Sequence, residues 1–327
     1  MKYFDNTRVS AFRRCPRRYF FRHNLDWAPK RPALPLVFGA GWHSGMDAVW
    51  ADAQSPISDN VLWDNACEAF LKTWVKEGLP PEISLEDKAF FKARTPGVAF
   101  EMLSAYIKQR RDFLRQITIL DIERPFAVPL QPDSTDVMYV GRLDKTYQHM
   151  GNIYVMEHKT TTLYLKPENG GPFRRDFIEG FSPNSQIDGY LHAGHMLYGD
   201  KFKGVNVDAA LVHLKIHDAF KVIPIQRQIE QLDAWLHETL YWVERLKTEQ
   251  LALKYNKEVY QYESFMPAFP KNTDDCFSFM TRCSYSDFCK MRANPLTYEE
   301  TPDGYKIEHW SPFDELELKK IGLDKDE

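Results

Sequence analysis

The stretch GRLDKTYQHMGNIYVMEHKTTT, from Gly141 to Thr162, places Asp144 in one apolar run and Glu157 and Lys159 two residues apart in the next. Both runs are rich in β-branched and aromatic residues and read as strands. Positions 144 and 157 are symmetric about the point between Met150 and Gly151. A hairpin turning there sets Asp144 opposite Glu157 on one sheet face. Alternation puts Lys159 on that face and His158 on the other. Two carboxylates so placed repel each other unless a cation sits between them. Oxygen ligands suit a hard divalent ion, and Mg2+ keeps several waters besides. A lysine beside them can orient or deprotonate a metal-bound water, which is metal-assisted hydrolysis. A cross-strand ion pair on a solvated sheet face uses the same residue types, so the trio needs support from elsewhere in the chain.

Two further segments supply it. In SPNSQIDGYLHAGHMLYG, Gln186 and Tyr190 stand four apart on one helix face, with Ser182 as the expected N-cap and Pro183 in the first helical position. FGAGWHSGMDAVW sets His43 among Gly39, Ala40, Gly41, Ser44 and Gly45, small residues that allow close approach. The cysteines form a separate group. Cys276, Cys283 and Cys289 lie in CFSFMTRCSYSDFC, separated by six and five residues, and Cys15 stands far upstream beside Pro16. Clustered thiols in a reducing compartment more often mark a metal site than a disulfide scaffold. Thiolates suit both tetrahedral zinc and iron–sulfur clusters. Cys67 has no partner in this scheme and reads as a small buried residue.

The elements that must position these groups follow from pattern. SAFRRCPRRYFFRHNL reads as two short helical turns, with Ser10 as N-cap and Pro16 starting the second. From about 37 to 115 the pattern is helical, with Trp42, Met46, Val49 and Trp50 on one stripe and breaks at Pro80-Pro81 and Pro96-Gly97. Strands follow at ITILDIERPFAVPL, DVMYVGRLDKTYQ and NIYVMEHKTT, then the helix bearing Gln186, two more strands, and an amphipathic helix over about 226–254. This order implies a mixed sheet flanked by helices.

The 327 residues are 43% hydrophobic and 27% charged, as in ordinary globular proteins, and their net charge of −4 argues against a general polyanion binder. The ends differ, however. Residues 1–31 carry nine Lys/Arg against two acids, and residues 298–327 carry ten acids against four bases. A local anion-binding surface is compatible with that average. No apolar run is long enough to span a membrane, and the first residues lack the apolar core of a signal peptide, so a cytoplasmic protein is expected.

SAFRRCPRRYFF, GAGWHSGMD, GRLD, EHK and QIDGY stand in the order they have in the RecB-like branch of the PD-(D/E)XK nuclease superfamily, which includes CRISPR-adaptation exonucleases. The chain resembles that branch from Ser10 to Tyr190, and the cysteines extend the resemblance to Cys289. GRLD with ExK is moderately specific, and QxxxY downstream makes the set strong. The resemblance implies an α/β fold, with a restriction-endonuclease-like core, a helical insertion and a C-terminal Cys-rich clasp. His43, Asp144 and Glu157, with the backbone carbonyl of His158, would hold Mg2+ or Mn2+. Lys159 would be catalytic, and Gln186 and Tyr190 would organise the lysine and the DNA strand. Cys15, Cys276, Cys283 and Cys289 would hold a [4Fe-4S] cluster, with Zn2+ as the alternative. The gap between Cys276 and Cys283 is longer than in the best-known members.

These readings give a single nuclease domain over 1–327. Its parts are a basic Cys-bearing segment (1–36), a helical region (37–115), the core (116–254), the clasp (255–292) and an acidic tail (293–327). The expected function is that of a metal-dependent DNA nuclease, an exonuclease acting on ends or single strands in repair, recombination or phage DNA processing. A helicase or recombinase partner would deliver the substrate. Arg13, Arg14, Arg17 and Arg18 would contact phosphates, unless they pair with the acidic tail instead. The alternatives are a catalytically silent DNA-end-binding accessory protein with the nuclease fold, and a zinc-stabilised nucleic-acid-binding module unrelated to nucleases.

Overall fold

In the computed structural model the elements run, in chain order, β1 (Lys2–Asp5), α1 (Asn6–Arg14), α2 (Pro16–Tyr19), β2 (Trp27–Pro29), α3 (Leu34–Asp52), α4 (Asp59–Lys76), α5 (Lys88–Phe91), α6 (Pro96–Gln116), β3 (Thr118–Gln131), β4 (Ser134–His149), β5 (Asn152–Thr161), α7 (Arg175–Glu179), α8 (Ser185–Tyr198), β6 (Phe202–Leu211), β7 (Phe220–Ile225), α9 (Ile229–Tyr260), β8 (Phe277–Ser278), β9 (Thr281–Arg282), α10 (Ser286–Met291) and β10 (Tyr305–Ile307). The structure describes residues 2–31, 33–131, 134–278, 281–314, 317, 318 and 321; the end of the expected acidic tail, 322–327, lies outside the described residues.

Six strands make the expected mixed sheet, in the order β1-β4-β5-β6-β7 with β3 also on β4. β1 runs parallel to β4 and β6 parallel to β5, while β4–β5 and β6–β7 are antiparallel. The β4–β5 turn is the two-residue loop Met150-Gly151, both with positive φ (49° and 81°), the twist that a tight hairpin favours. A parallel β5–β6 pair requires a crossover, and α8 lies within it. Pro224 sits on β7, at the end of the strand order, where a missing N–H costs least.

The chain divides into two compact units. One comprises 32–126 and 142–228. Its core is the expected α3 stripe of Trp42, Met46, Val49 and Trp50, packed with Phe70 and Trp74 of α4 and Met102, Leu103 and Tyr106 of α6. A β-carbon on Gly41 would lie 2.9 Å from the Phe70 ring, and one on Gly45 would lie 3.2 Å from Leu103. Glycine there lets α3 approach its neighbours closely. Cys67 is buried in this core, as a small apolar residue would be. The other unit comprises 1–31, 127–141 and 229–327. In it Phe12, Tyr19 and Phe20 pack around Phe269, while Phe21 stacks on Trp27 and Tyr285.

Helix starts differ from expectation where a nearby residue offers the same oxygen. Ser10 lies inside α1, which Asp5 caps by accepting the Arg8 N–H at 3.0 Å. Neither Ser182 nor Pro183 opens α8. Asn184 does, accepting the Gln186 and Ile187 N–H groups at 3.1 and 3.3 Å. Pro96 opens α6 behind a Thr95 cap, and Pro16 opens α2 as expected.

Replacing Gly41 with alanine should lower unfolding stability by about 1–3 kcal/mol, because the tightly packed Phe70 ring must shift. Urea denaturation of the variant checks this; an unchanged midpoint would mean that α3 has slack against α4.

Candidate active site

β4 and β5 pair from Lys145↔Met156 to His149↔Asn152. One further step of that register sets Asp144 opposite Glu157. Asp144 Oδ2 accepts the His158 N–H at 3.0 Å and lies 3.1 Å from His43 Nδ1 on α3. Glu157 is 1% exposed. It pairs with Lys159, and its Oε2 has no hydrogen-bond partner among the described residues. Lys159 Nζ donates to Gln186 Oε1 at 3.1 Å, and Gln186 Nε2 donates to the Tyr190 hydroxyl at 2.9 Å. The Asn184 cap fixes the start of α8, so Gln186 meets the lysine from the first turn of the helix. The structure thus brings together His43, Asp144, Glu157, Lys159, Gln186 and Tyr190. The His158 ring turns to the other face, with Nδ1 3.8 Å from Asp208 Oδ2.

Glu123 belongs to the same group and escaped the sequence reading. It sits on β3 with φ 54°, and its carboxylate, His43 and Asp144 offer ligand atoms within 4.8 Å of one another. Lys145, fully buried, pairs with Asp47 and has its Nζ 3.9 Å from Glu123. TILDIERPF carries Asp121 and Arg124 beside Glu123, so no pattern in that stretch singles Glu123 out.

Charge is crowded here. Burial and the Asp144 charge push the Glu157 carboxyl up to about 7, against the pull of Lys159 and His43. Burial, Asp144 and Asp47 push Glu123 up to about 7. Burial opposes the charged form of Asp144, but His43 and the two lysines hold it well below the usual carboxylate range. Burial alone would lower the pKa of His43, yet Asp144 and Glu157 raise it to about 9. Protons and lysines therefore balance the acids where a divalent ion could do so instead.

Cys15, Cys276, Cys283 and Cys289 are free thiols that line one cavity. Cys15 Sγ accepts the Asn272 N–H at 3.4 Å, and Cys283 N–H donates to the Cys276 carbonyl at 2.9 Å. Among the described residues their sulfurs do not form a group as tight as that of His43, Glu123 and Asp144.

The arginines divide. Arg17 is buried and donates to the carbonyls of Phe269, Ala293 and Met266 at 2.9, 3.2 and 3.2 Å. This corrects its expected place at the phosphates, because the whole guanidinium is spent on backbone. Arg14 and Arg18 share Asp275, at 2.9 and 3.5 Å, and Arg13 is exposed. Of the basic end, Arg22 meets the acidic tail at Glu308, Arg8 meets it at the Trp310 carbonyl, and Arg17 reaches its first residue, Ala293.

A model of the PD-(D/E)XK nuclease superfamily matches residues 6–290, and the chain belongs to that superfamily. Among solved structures it is similar to a candidate exonuclease from Eubacterium rectale, at 13% identity and a TM-score of 0.43, over 75% of this chain and 79% of that one. No curated protein matches the chain. Membership removes the reading of a zinc-stabilised module unrelated to nucleases. No helix among the described residues is long and apolar enough to cross a membrane.

The acids make metal binding depend on pH. Below about 7 Glu157 and Glu123 hold protons, and His43 does so up to about 9, so an incoming Mn2+ must displace them. Affinity should rise from pH 6 to pH 9 with net proton release, which calorimetry in buffers of different ionisation enthalpy reads. A pH-independent affinity would mean that these groups do not meet the ion.

Proposed function

We propose that the chain is a metal-dependent deoxyribonuclease of the RecB-like branch, an exonuclease that acts on DNA ends or single strands. The observation that carries this reading is Lys159, held between Glu157 and Gln186 while Asp144 faces Glu157 across the hairpin. The residue set fits a divalent cation, because the buried Glu157 Oε2 lacks a hydrogen-bond partner among the described residues beside a second carboxylate. His43, Asp144 and Glu157, with the His158 carbonyl, would hold Mg2+ or Mn2+, and Glu123 is a further candidate. Such an ion neutralises charge on the phosphate and makes a water more acidic.

Burial opposes the charge on Lys159, but Glu157 and Asp144 raise its pKa, so as an ammonium it would orient the attacking water by donating a hydrogen bond to it. Gln186 fixes the ammonium, and the Tyr190 hydroxyl fixes the Gln186 amide so that its oxygen faces the lysine. A silent accessory protein with this fold would have no need of the complete set, which disfavours that alternative. The family match spans segments of both compact units, which supports reading 1–327 as one nuclease domain. A helicase or recombinase remains the expected source of substrate.

Cys15, Cys276, Cys283 and Cys289 we read as ligands of an iron–sulfur cluster, with zinc as the alternative. Four free thiols around one cavity, with Arg18 at its wall and an N–H donated to Cys15, suit thiolate ligation. Arg13, Arg14 and Arg18 would contact backbone phosphates, since all three keep exposed or half-exposed side chains.

Asp144→Ala and Glu157→Ala should each abolish cleavage of end-labelled DNA in Mg2+, and Asp144→Ala should also lower the melting temperature, because it leaves His43 and the buried His158 N–H without their acceptor. Near wild-type cutting by either variant would sink the site.

Freshly purified protein should show the visible charge-transfer absorption of an iron–sulfur centre, and Cys283→Ser should lose both the colour and several degrees of melting temperature. Colourless protein carrying zinc would replace the cluster by zinc. A soluble variant with unchanged melting temperature would remove these cysteines as ligands.

A further inference from the structure

On the sheet face turned away from Glu157 and Lys159 there is a second concentration of polar groups. β5 and β6 run side by side with His158 beside Asp208, so Asp208 and Asn206 share the His158 face. A cavity of about 200 Å³ opens there, with α6 supplying part of its lining. Its floor is buried and includes Tyr106, Tyr147 and Asp208; its rim, half-buried, includes Arg110, Phe113 and Asn206. All of these residues belong to one compact unit.

The polar atoms are only partly satisfied. The Tyr106 hydroxyl donates to Asp208 Oδ2 at 2.8 Å. Asp208 is 2% exposed, and its Oδ1 is ion-paired with Arg110 Nη2 at 3.6 Å but takes no closer hydrogen bond among the described residues. Arg110 Nε also lacks a hydrogen-bond partner among the described residues. A buried carboxylate oxygen held only by a long ion pair is under-satisfied, and a ligand that brings closer donors removes that cost. The walls are aromatic: Phe113 meets Tyr147 edge-on at 5.8 Å, and Asn206 Nδ2 fixes the Tyr147 hydroxyl at 2.7 Å.

We infer that this cavity binds a single nucleobase, and that guanine fits it best. A cavity of roughly 150 Å³ accommodates benzene, so this one has room for one planar base and not for a base pair. Flat aromatic walls suit a stacked ring of any sequence. Guanine is the base whose pairing edge offers two adjacent donors, N1–H and the 2-amino group, to one carboxylate. The other bases put an acceptor lone pair on that edge beside their donor. Arg110 at the rim offers the donors with which arginine reads O6 and N7 of guanine. The base could arrive on a free mononucleotide or be turned out of a DNA strand, and the chemistry is the same in either case. The inference does not rest on the nuclease reading, since binding here needs neither the metal nor cleavage.

The test is a calorimetric titration of dGMP into the full chain in EDTA. One-to-one binding is expected, with dAMP, dCMP and TMP weaker by at least about tenfold, the cost of one unpaired buried group. Val222→Trp, which fills the cavity from β7, should abolish dGMP binding while cleavage in Mg2+ continues. Phe113→Ala, which removes a wall without adding bulk, should weaken binding and serves if the tryptophan variant does not fold. A single-stranded oligonucleotide with one guanine among thymines, bound more tightly than the all-thymine strand in wild type alone, would place the base on a strand. Equal binding of the two strands with dGMP still bound would place it on a free mononucleotide. No heat and no melting-temperature shift at about millimolar dGMP, equal affinity for all four nucleotides, or undiminished affinity in folded Val222→Trp would each overturn the inference.

Discussion

Asp144 and Glu157 face each other across a hairpin in a place where water cannot screen them. Repulsion between carboxylates grows as the local dielectric falls, so the surrounding structure must supply positive charge or protons. His43 reaches Asp144 from α3, Lys159 reaches Glu157 from its own strand, and the His158 amide adds a donor. Each contact constrains an element. α3 brings His43 into range while lying close against α4 and α6, which glycines 41 and 45 permit. α8 must start at Asn184 for Gln186 to meet the lysine.

The pleat of β5 divides labour between two environments. Glu157 and Lys159 face the candidate active site, while His158 between them lies against Trp50 and Tyr106. Burial there keeps the His158 ring neutral, with its pKa pushed well below the usual value. A single strand therefore supports ionic chemistry on one side and an aromatic layer on the other. A register slip of one residue would exchange them completely.

Much of this was legible because it depends on period. The symmetric spacing about Met150-Gly151 gave the hairpin register, the two-residue alternation sorted Glu157 from His158, and the stripe from Trp42 to Trp50 marked the buried face of α3. What escaped depends on choices among chemically equal neighbours. Ser182 and Asn184 carry equivalent capping oxygens, and only the path of the chain decides between them. Arg17 looks like Arg13, Arg14 and Arg18 in composition, and nothing local tells which guanidinium turns inward. Glu123 reaches the acids through a positive-φ kink in β3 that no hydrophobic pattern encodes. The division into two units was equally hidden, because one unit is assembled from three stretches far apart in the chain.

Arg17 has a consequence in time as well as in space. Its three carbonyl partners lie 249 to 276 residues further along the chain. On a ribosome adding about 5–20 residues per second, the arginine emerges on the order of 10–60 s before its acceptors exist. During that interval Phe12, Tyr19 and Phe20 also wait for Phe269, so the nascent N-terminal segment carries an apolar surface that its own unit cannot yet cover. The unit 32–126 with 142–228 is fully synthesised first. Until Phe269 is made, that apolar surface lacks its partner from its own unit, and the run of arginines around Cys15 keeps the segment positively charged.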